Sequence, residues 1–266
     1  MPRLASDMEF ILHDGTQIVP CPNDLLPTKG SKMPVGDQGI TLEQDGATAE
    51  ATIPPCSTFE QWDNHIRNAI DATEYYTGHT VSTLSYYNFS KLEGAQVTMG
   101  CSPSYSVWNS SVRKPSPLST ELYARSAGGH IHIDIPKPFR TSRVKHTKEV
   151  TRIAKNLDLF LGVPSVILDP DTRRRKLYGL SGDIRFKEYG LEYRTLSNYW
   201  IFSTYLREYI WNQVEKAISF DSEVTTDAPR SIDTSNTELA EKVLTDYNLW
   251  DDVEQLDMYL RGLLCA

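Results

Sequence analysis

Between Gly128 and Pro136 the chain reads GGHIHIDIP, with polar and apolar positions alternating strictly from His130 to Ile135. That two-residue period is the pattern of a half-buried strand. Side chains two apart share a strand face, so Ile131, Ile133 and Ile135 turn to a core while His130, His132 and Asp134 point together the other way. The same alternation recurs near the start of the chain. "MEFILH" and "TQIVP" meet at Asp14-Gly15 and predict one hairpin; "ITLEQ" and "ATAEATI" meet at Asp45-Gly46 and predict another. Asp-Gly suits a type I′ turn, which needs positive φ at both central positions.

Helical spacing follows. Ser57 and Glu60 form a capping-box pattern around Phe59, Trp62, Ile66 and Ile70. A second helix is predicted from about Arg143 to Leu161, with Val150, Ile153, Leu157 and Leu161 on one face and Gly162 and Pro164 ending it. A third runs from about Tyr199 to Ser219, before a polar loop (221–236) and short C-terminal helices. Further strands are predicted at "AQVTMG" and within "KLYGLSGDIRFKEYGLEYRTL". The stretch from about 102 to 127 is rich in Ser and Pro; a loop of that length inside a compact domain is usually functional or disordered. The expected fold is α+β: a mostly antiparallel sheet with helices packed on one face, in a single domain of residues 1–266 whose last part, about 221–266, is a helical extension.

Composition narrows the partners. A net charge of −8 argues against duplex nucleic acid or an anionic membrane. No apolar run is long enough to span a bilayer, and the opening "MPRLASDMEF" lacks a signal-peptide pattern. Cys21, Cys56, Cys101 and Cys265 lie far apart and read as reduced thiols, so a cytoplasmic location is expected.

Four strand segments put acidic or imidazole groups opposite their apolar positions. Asp7 and Glu9 share a face; Glu43 and Glu50 share one if Asp45-Gly46 is a two-residue loop, which would pair Glu43 with Thr48; His130 and His132 share one; so do Glu192 and Arg194. Clustered carboxylates call for a positive partner, and a hard divalent cation is the usual one. Imidazole among them favours Mg²⁺ or Mn²⁺ sites that also take a substrate phosphate. Arg173, Arg174, Arg175, Arg185 and Arg194 supply planar donors for phosphate or carboxylate. Each piece has a plainer reading: the His strand as a hydrated face, Asp7 and Glu9 as surface, Glu192 with Arg194 as a lateral ion pair, and "TRRRK" as a solvated turn for at least one of its arginines. There is no Walker A spacing, so a bound nucleotide would have to sit on the sheet.

"DMEF", "LEQDGATAEATIPP", "GGHIHID" and "RRRKLYGLSGDIRFKEYGLEYRTLSNYW" together resemble the glutamine-synthetase-like carboxylate–amine ligases, and most closely the phage-encoded type-2 COOH–NH2 ligase family. The resemblance runs from about residue 5 to residue 210. It implies a curved antiparallel sheet holding ATP and divalent metals on its concave face. Residue by residue, it implies metal ligation by Glu9, Glu43, Glu50, His130 and Glu192, and nucleotide contacts from His132, Arg185, Arg194 and Asn198. Asp7 stands where glutamine synthetase has a glutamate, and "SNYW" keeps Asn198 without the proline that often follows it.

The implied activity is ATP- and Mg²⁺-dependent amide or peptide-like bond formation through an acyl phosphate, with Arg185, Arg194 and Glu50 carrying the chemistry. Small-molecule or peptide carboxylates and amines would be the substrates, in the cytoplasm of a phage-infected cell. Two other readings are a guanidino-kinase-like phosphotransferase on the same sheet and a non-catalytic phage protein that binds a metabolite or host partner.

Overall fold

The computed structural model describes residues 3–89, 103–114 and 123–264. Thirteen strands occur among them: β1 (Leu4–His13), β2 (Ile18–Val19), β3 (Met33–Val35), β4 (Ile40–Asp45), β5 (Thr48–Cys56), β6 (Thr80–Ser82), β7 (Tyr86–Asn88), β8 (Ser104–Ser106), β9 (Ser111–Arg113), β10 (Ala124–Ser126), β11 (Gly129–Asp134), β12 (Asp183–Lys187) and β13 (Gly190–Tyr193). The helices are α1 (Phe59–Thr77), α2 (Arg143–Leu157), α3 (Pro164–Leu168), α4 (Thr204–Ser219), α5 (Asp227–Thr234), α6 (Thr237–Asp246) and α7 (Trp250–Leu264). The large sheet has the order β3-β4-β5-β1-β11-β13-β12-β8-β9, with β2 and β6 also on β1, and β7 pairs with β10 apart from it. Every strand pairing is antiparallel. The α+β reading therefore holds.

Strand parity sorts the sheet into two faces. Leu4, Met8, Phe10 and Leu12 of β1, Leu42 of β4, Ile53 of β5, Ile131 and Ile133 of β11, Ile184 of β12 and Leu191 and Tyr193 of β13 all enter one core. Trp62 and Ile66 of α1, Val150, Ile153 and Leu157 of α2, and Ile210 and Val214 of α4 fill it from the helix side. Trp62 stacks on Trp200 with ring centroids 5.1 Å apart, which ties α1 to the chain just after β13. The predicted apolar positions are thus the buried ones, because alternation on strands and 3.6-residue spacing on helices both mark a single packed face.

Several boundaries differ from expectation. The first hairpin closes with a four-residue loop, since His13 pairs with Ile18. Asp14 accepts hydrogen bonds from the amides of Thr16 and Gln17, so its side chain organises the turn instead of occupying a type I′ position. The second hairpin turns at Gly46-Ala47, because Asp45 remains in the strand opposite Thr48. Glu43 then faces Glu50 and not Thr48; the shift is two residues, so parity and the shared face survive. The α1 cap is Thr58, whose side chain accepts from the Gln61 amide while the Gln61 side chain accepts from the Ser57 amide. The cap falls one residue later than Ser57 and Glu60 predicted, and the Gln61 side chain reaches back to the amide before the cap instead of the cap's own.

Gly162 and Pro164 do not end the second long helix outright. A π-helical turn, Asp158–Gly162, leads into α3, where Pro164 takes the first-turn position that needs no amide proton. "TRRRK" is a 3-10 turn, in keeping with its reading as a turn; the strands expected from Lys176 onward begin only at Asp183, and α5 occupies the expected polar loop. The "AQVTMG" strand lies outside the described residues. So does part of the Ser/Pro-rich stretch, whose described portion forms a β8–β9 hairpin on the sheet edge and then β10. Cys21 and Cys56 are free thiols; Cys101 and Cys265 fall outside the described residues.

Candidate active site

The second face of the sheet is polar and yet largely buried. Among the described residues it is covered from loops and a short strand: Gly30 of the 20–32 loop donates to Glu43, Lys29 reaches Asp45 and Glu50, Arg125 of β10 reaches Asp45, and Tyr178 reaches Arg194. Register aligns the side chains into a row. Glu43 opposes Glu50, Glu50 opposes Glu9, Asp7 opposes His130, His132 opposes Glu192, and Glu192 opposes Arg185.

Two groups of possible metal-ligating atoms form along this row. Glu9, Asp45 and Glu50 have carboxylate oxygens all within 4.8 Å of one another. Their present counter-charges are the Lys29 ammonium, 3.3 Å from Glu50 and in contact with Asp45, and Arg125, 3.4 Å from Asp45. The buried Glu50 oxygen, Oε2, has that ammonium as its counter-charge and makes no closer hydrogen bond among the described residues. Burial, opposed by Lys29 and reinforced by the other carboxylates, pushes its pKa up to about 8. The second group is Asp7, His132 and Glu192, also within 4.8 Å. His132 Nε2 lies 2.8 Å from Asp7 Oδ2, and Nδ1 contacts the Tyr189 hydroxyl. Burial opposes ionisation of Asp7, but the His132 hydrogen bond and charge outweigh it and hold the carboxyl well below its usual range.

Glu192 is the most heavily countered group. Arg194 contacts it from two residues away, Arg185 Nη1 lies at 3.0 Å, Lys187 Nζ at 2.9 Å and His130 Nδ1 at 3.8 Å. Burial raises its pKa, yet Arg194 first, then His132, Arg185 and Lys187, bring it below the ordinary value. His130 is the opposite case: burial, then Arg194 and Arg174, press its pKa well down, so the imidazole is neutral. Neutral imidazole is the metal-ligating form. Its Nε2 is buried without a partner among the described residues.

The two glycines before His130 have separate reasons. A Cβ on Gly128 would lie 2.4 Å from His130 Nε2, and one on Gly129 would lie 2.5 Å from Trp200 Nε1 and 2.7 Å from the Ser197 carbonyl. The Gly128 amide donates to Glu9 Oε2 at 2.7 Å, and its carbonyl accepts from the Glu9 amide at 2.9 Å. One residue therefore positions a carboxylate and leaves room for an imidazole.

Of the residues singled out in the sequence, Glu9 and Glu50 come together, and His132 and Glu192 come together, with Arg185 and Arg194 on Glu192. Glu43 is buried in the same row but turns to the Gly30 amide at 2.5 Å, outside both groups. His130 lies beside the second group, outside it. Asn198 sits beneath the row, its amide donating to the carbonyls of Glu9 and Leu84. Asp45 was missed because a turn was assigned to it; the strand parity of Thr41, Glu43 and Asp45 was the available signal. Lys29, on a loop, carries no periodicity that could have found it.

His130, His132, Glu192 and Arg194 share one face with the spacing HxH and ExR on adjoining strands. Residues 119–219 match the model of the family Phage phiEco32-like COOH.NH2 ligase-type 2. This is the family that the sequence resembles. The ligase-family match spans β11, β12 and β13, and so contains His130, His132, Arg185, Glu192, Arg194 and Asn198. Asp7, Glu9, Glu43, Asp45 and Glu50 lie outside the ligase match and join it only through register. No curated protein matches the chain. No helix among the described residues is long and apolar enough to cross a membrane.

Proposed function

We propose that the protein is an ATP- and Mg²⁺-dependent carboxylate–amine ligase of the glutamine-synthetase-like kind, forming an amide or peptide-like bond through an acyl phosphate. The observation that carries this reading is the row itself: one buried and one partly buried group of carboxylate and imidazole ligand atoms, flanked by Arg185 and Arg194 on one sheet face. The raised pKa of Glu50 among neighbouring carboxylates, and the unpartnered Nε2 of neutral His130, fit a site that takes a hard divalent cation. Glu9, Asp45 and Glu50 would hold one Mg²⁺ or Mn²⁺, with Glu43 behind them; Asp7, His132 and Glu192 would hold another, with His130 beside it. Such ions neutralise phosphate charge.

The chain's own residues do the rest. Arg194 is fixed by Tyr178 and Glu192, and Arg185 by Glu192, so both guanidinium planes are oriented before any phosphate arrives. Preorganised cations favour the charge that develops during phosphoryl transfer. The substrate carboxylate oxygen bonds to the γ-phosphorus as the bond to ADP breaks. The amine then bonds to the acyl carbon, phosphate leaves with the C–O bond electrons, and the amine loses a proton. A cavity of about 380 Å³, lined by Asp7, His132, Lys187, Tyr189, Lys32 and Arg3, opens beside Glu192 and offers room for a nucleotide.

Hydroxylamine tests the reading. With ATP, Mg²⁺ and a mixed pool of carboxylic acids and guanidino compounds, an acyl phosphate yields a hydroxamate. ATP turnover that gives a phosphorylated guanidine and no hydroxamate would replace this reading with a phosphotransferase.

A further inference from the structure

The carboxylate trio of Glu9, Asp45 and Glu50 already faces a cation, and that cation belongs to the chain. Lys29 occupies the corner of a four-residue turn, Thr28 to Ser31, in which the Ser31 amide donates to the Thr28 carbonyl at 3.0 Å. Gly30 has φ +92° in the third place, where a type II turn needs positive φ. The turn is pinned to β4: the Gln44 amide donates to the Pro27 carbonyl at 2.7 Å, and the Gly30 amide donates to Glu43. The backbone is therefore fixed at the edge of the trio, and the Lys29 side chain reaches in from it.

Lys29 Nζ contacts Asp45 Oδ2 and lies 3.3 Å from Glu50 Oε2. Burial, the largest influence on its pKa, lowers it, but Glu50, Asp45 and Glu9 outweigh burial and keep the ammonium charged. All three carboxylates thus act on one nitrogen, and the ion-free chain tolerates three buried acids side by side. The lysine itself is not buried like them, since 41% of its side chain remains exposed. Its flexible four-carbon stem can carry the ammonium out to solvent without moving β4. A divalent ion held at about 2.1 Å by oxygens of Asp45 and Glu50 would share them with Nζ. Two cations so close together repel strongly in a buried setting.

We infer that Lys29 sets the ion affinity of the Glu9, Asp45 and Glu50 site: its ammonium is a resident counter-ion that a divalent cation must expel to enter. Ion and ammonium compete for the same oxygens, so the apparent ion affinity falls with the fraction of chains in which Lys29 is seated. That the trio takes an ion at all belongs to the proposed function; the competition with Lys29 is independent of the ligase step.

The full chain is titrated with Mn²⁺ in the absence of ATP, and the binding that Glu50→Gln weakens marks this site. Lys29→Gln should tighten that binding by about tenfold. Lys29→Arg keeps the competing charge and should not tighten it. Lys29→Gln also leaves the trio without its cation, so its melting temperature should fall in chelator and rise more than that of wild type on adding Mn²⁺. Amine acetylation, read by peptide mass, gives a second measure. Mg²⁺ should speed modification of Lys29 several-fold and leave Lys32, which donates to Thr52 at 2.6 Å, unchanged. Mn²⁺ binding that Lys29→Gln leaves unchanged or weakens overturns the inference while the ion site stands. So does Lys29 acetylation that is indifferent to Mg²⁺. Absence of Glu50-dependent Mn²⁺ binding in every variant overturns it together with the ion site. Competition seen without hydroxamate formation removes the ligase reading and leaves Lys29 its role.

Discussion

Asp158 offers a quantitative check on the packing beneath the row. It is fully buried at the π-helical turn and accepts from Trp108 Nε1 at 2.5 Å and from the Tyr193 hydroxyl at 2.7 Å. Burial nevertheless dominates these donors and raises its pKa from 3.8 to about 7. An acid whose folded pKa is raised binds its proton in the folded state and not in the unfolded one between those two values. Stability therefore falls as pH rises from about 4 to about 7, and the full loss is present above that. At about 1.4 kcal/mol per pH unit, the interval between 3.8 and about 7 corresponds to about 4 kcal/mol. Asp158→Asn is isosteric with the neutral acid and keeps an oxygen acceptor for Trp108 and an amide for Tyr193. The variant should match wild type within about 1 kcal/mol at acidic pH. Near pH 8.5 it should be more stable by a few kcal/mol. Urea unfolding at several pH values measures both limits. A wild-type–variant difference that stays flat across this range, or a variant weaker at the alkaline end, would refute the reasoning.

Three further outcomes are expected. Arg194→Lys should lower hydroxamate formation about as much as Arg194→Ala, on the order of a hundredfold, because a lysine cannot reach Glu192 and an oxyanion with one planar fork; near-normal turnover would leave an ordinary ion pair. Glu50→Gln should weaken Mn²⁺ binding about tenfold, as followed by its paramagnetic signal, without lowering the melting temperature, since the buried carboxylate is a strained one. Gly128→Ala should cost about 1–3 kcal/mol in chemical denaturation, because its methyl would meet the His130 ring; an unchanged midpoint would mean that the ring moves freely.

Much of this site was legible because strands report their faces directly. The alternation of His130 to Ile135 fixes which side both imidazoles occupy, and no tertiary fact can change that without a register slip that exposes Ile131 and Ile133. Turn chemistry was less informative. Asp14-Gly15 and Asp45-Gly46 look alike in sequence, yet Asp14 ties its own loop while Asp45 is drawn into the strand by Lys29 and Arg125, partners far away along the chain. Of the "TRRRK" run, Arg173 is the solvated member on Asp171, whereas Arg174 is buried on the carbonyls of Arg194 and Thr195.

The small β7–β10 ladder has an architectural meaning beyond its size. Tyr86 pairs with Ser126 and Asn88 with Ala124, so the two ends of the segment that carries β8 and β9 are held together at one place. Immediately beyond that place, Ala127 and Gly128 clip onto Ser85, Asn198 and Glu9. The floor that follows therefore starts from a fixed origin. The ladder thus sets the starting point of β11, and with it the position of both imidazoles along the row, independently of the sheet edge that β8 and β9 supply.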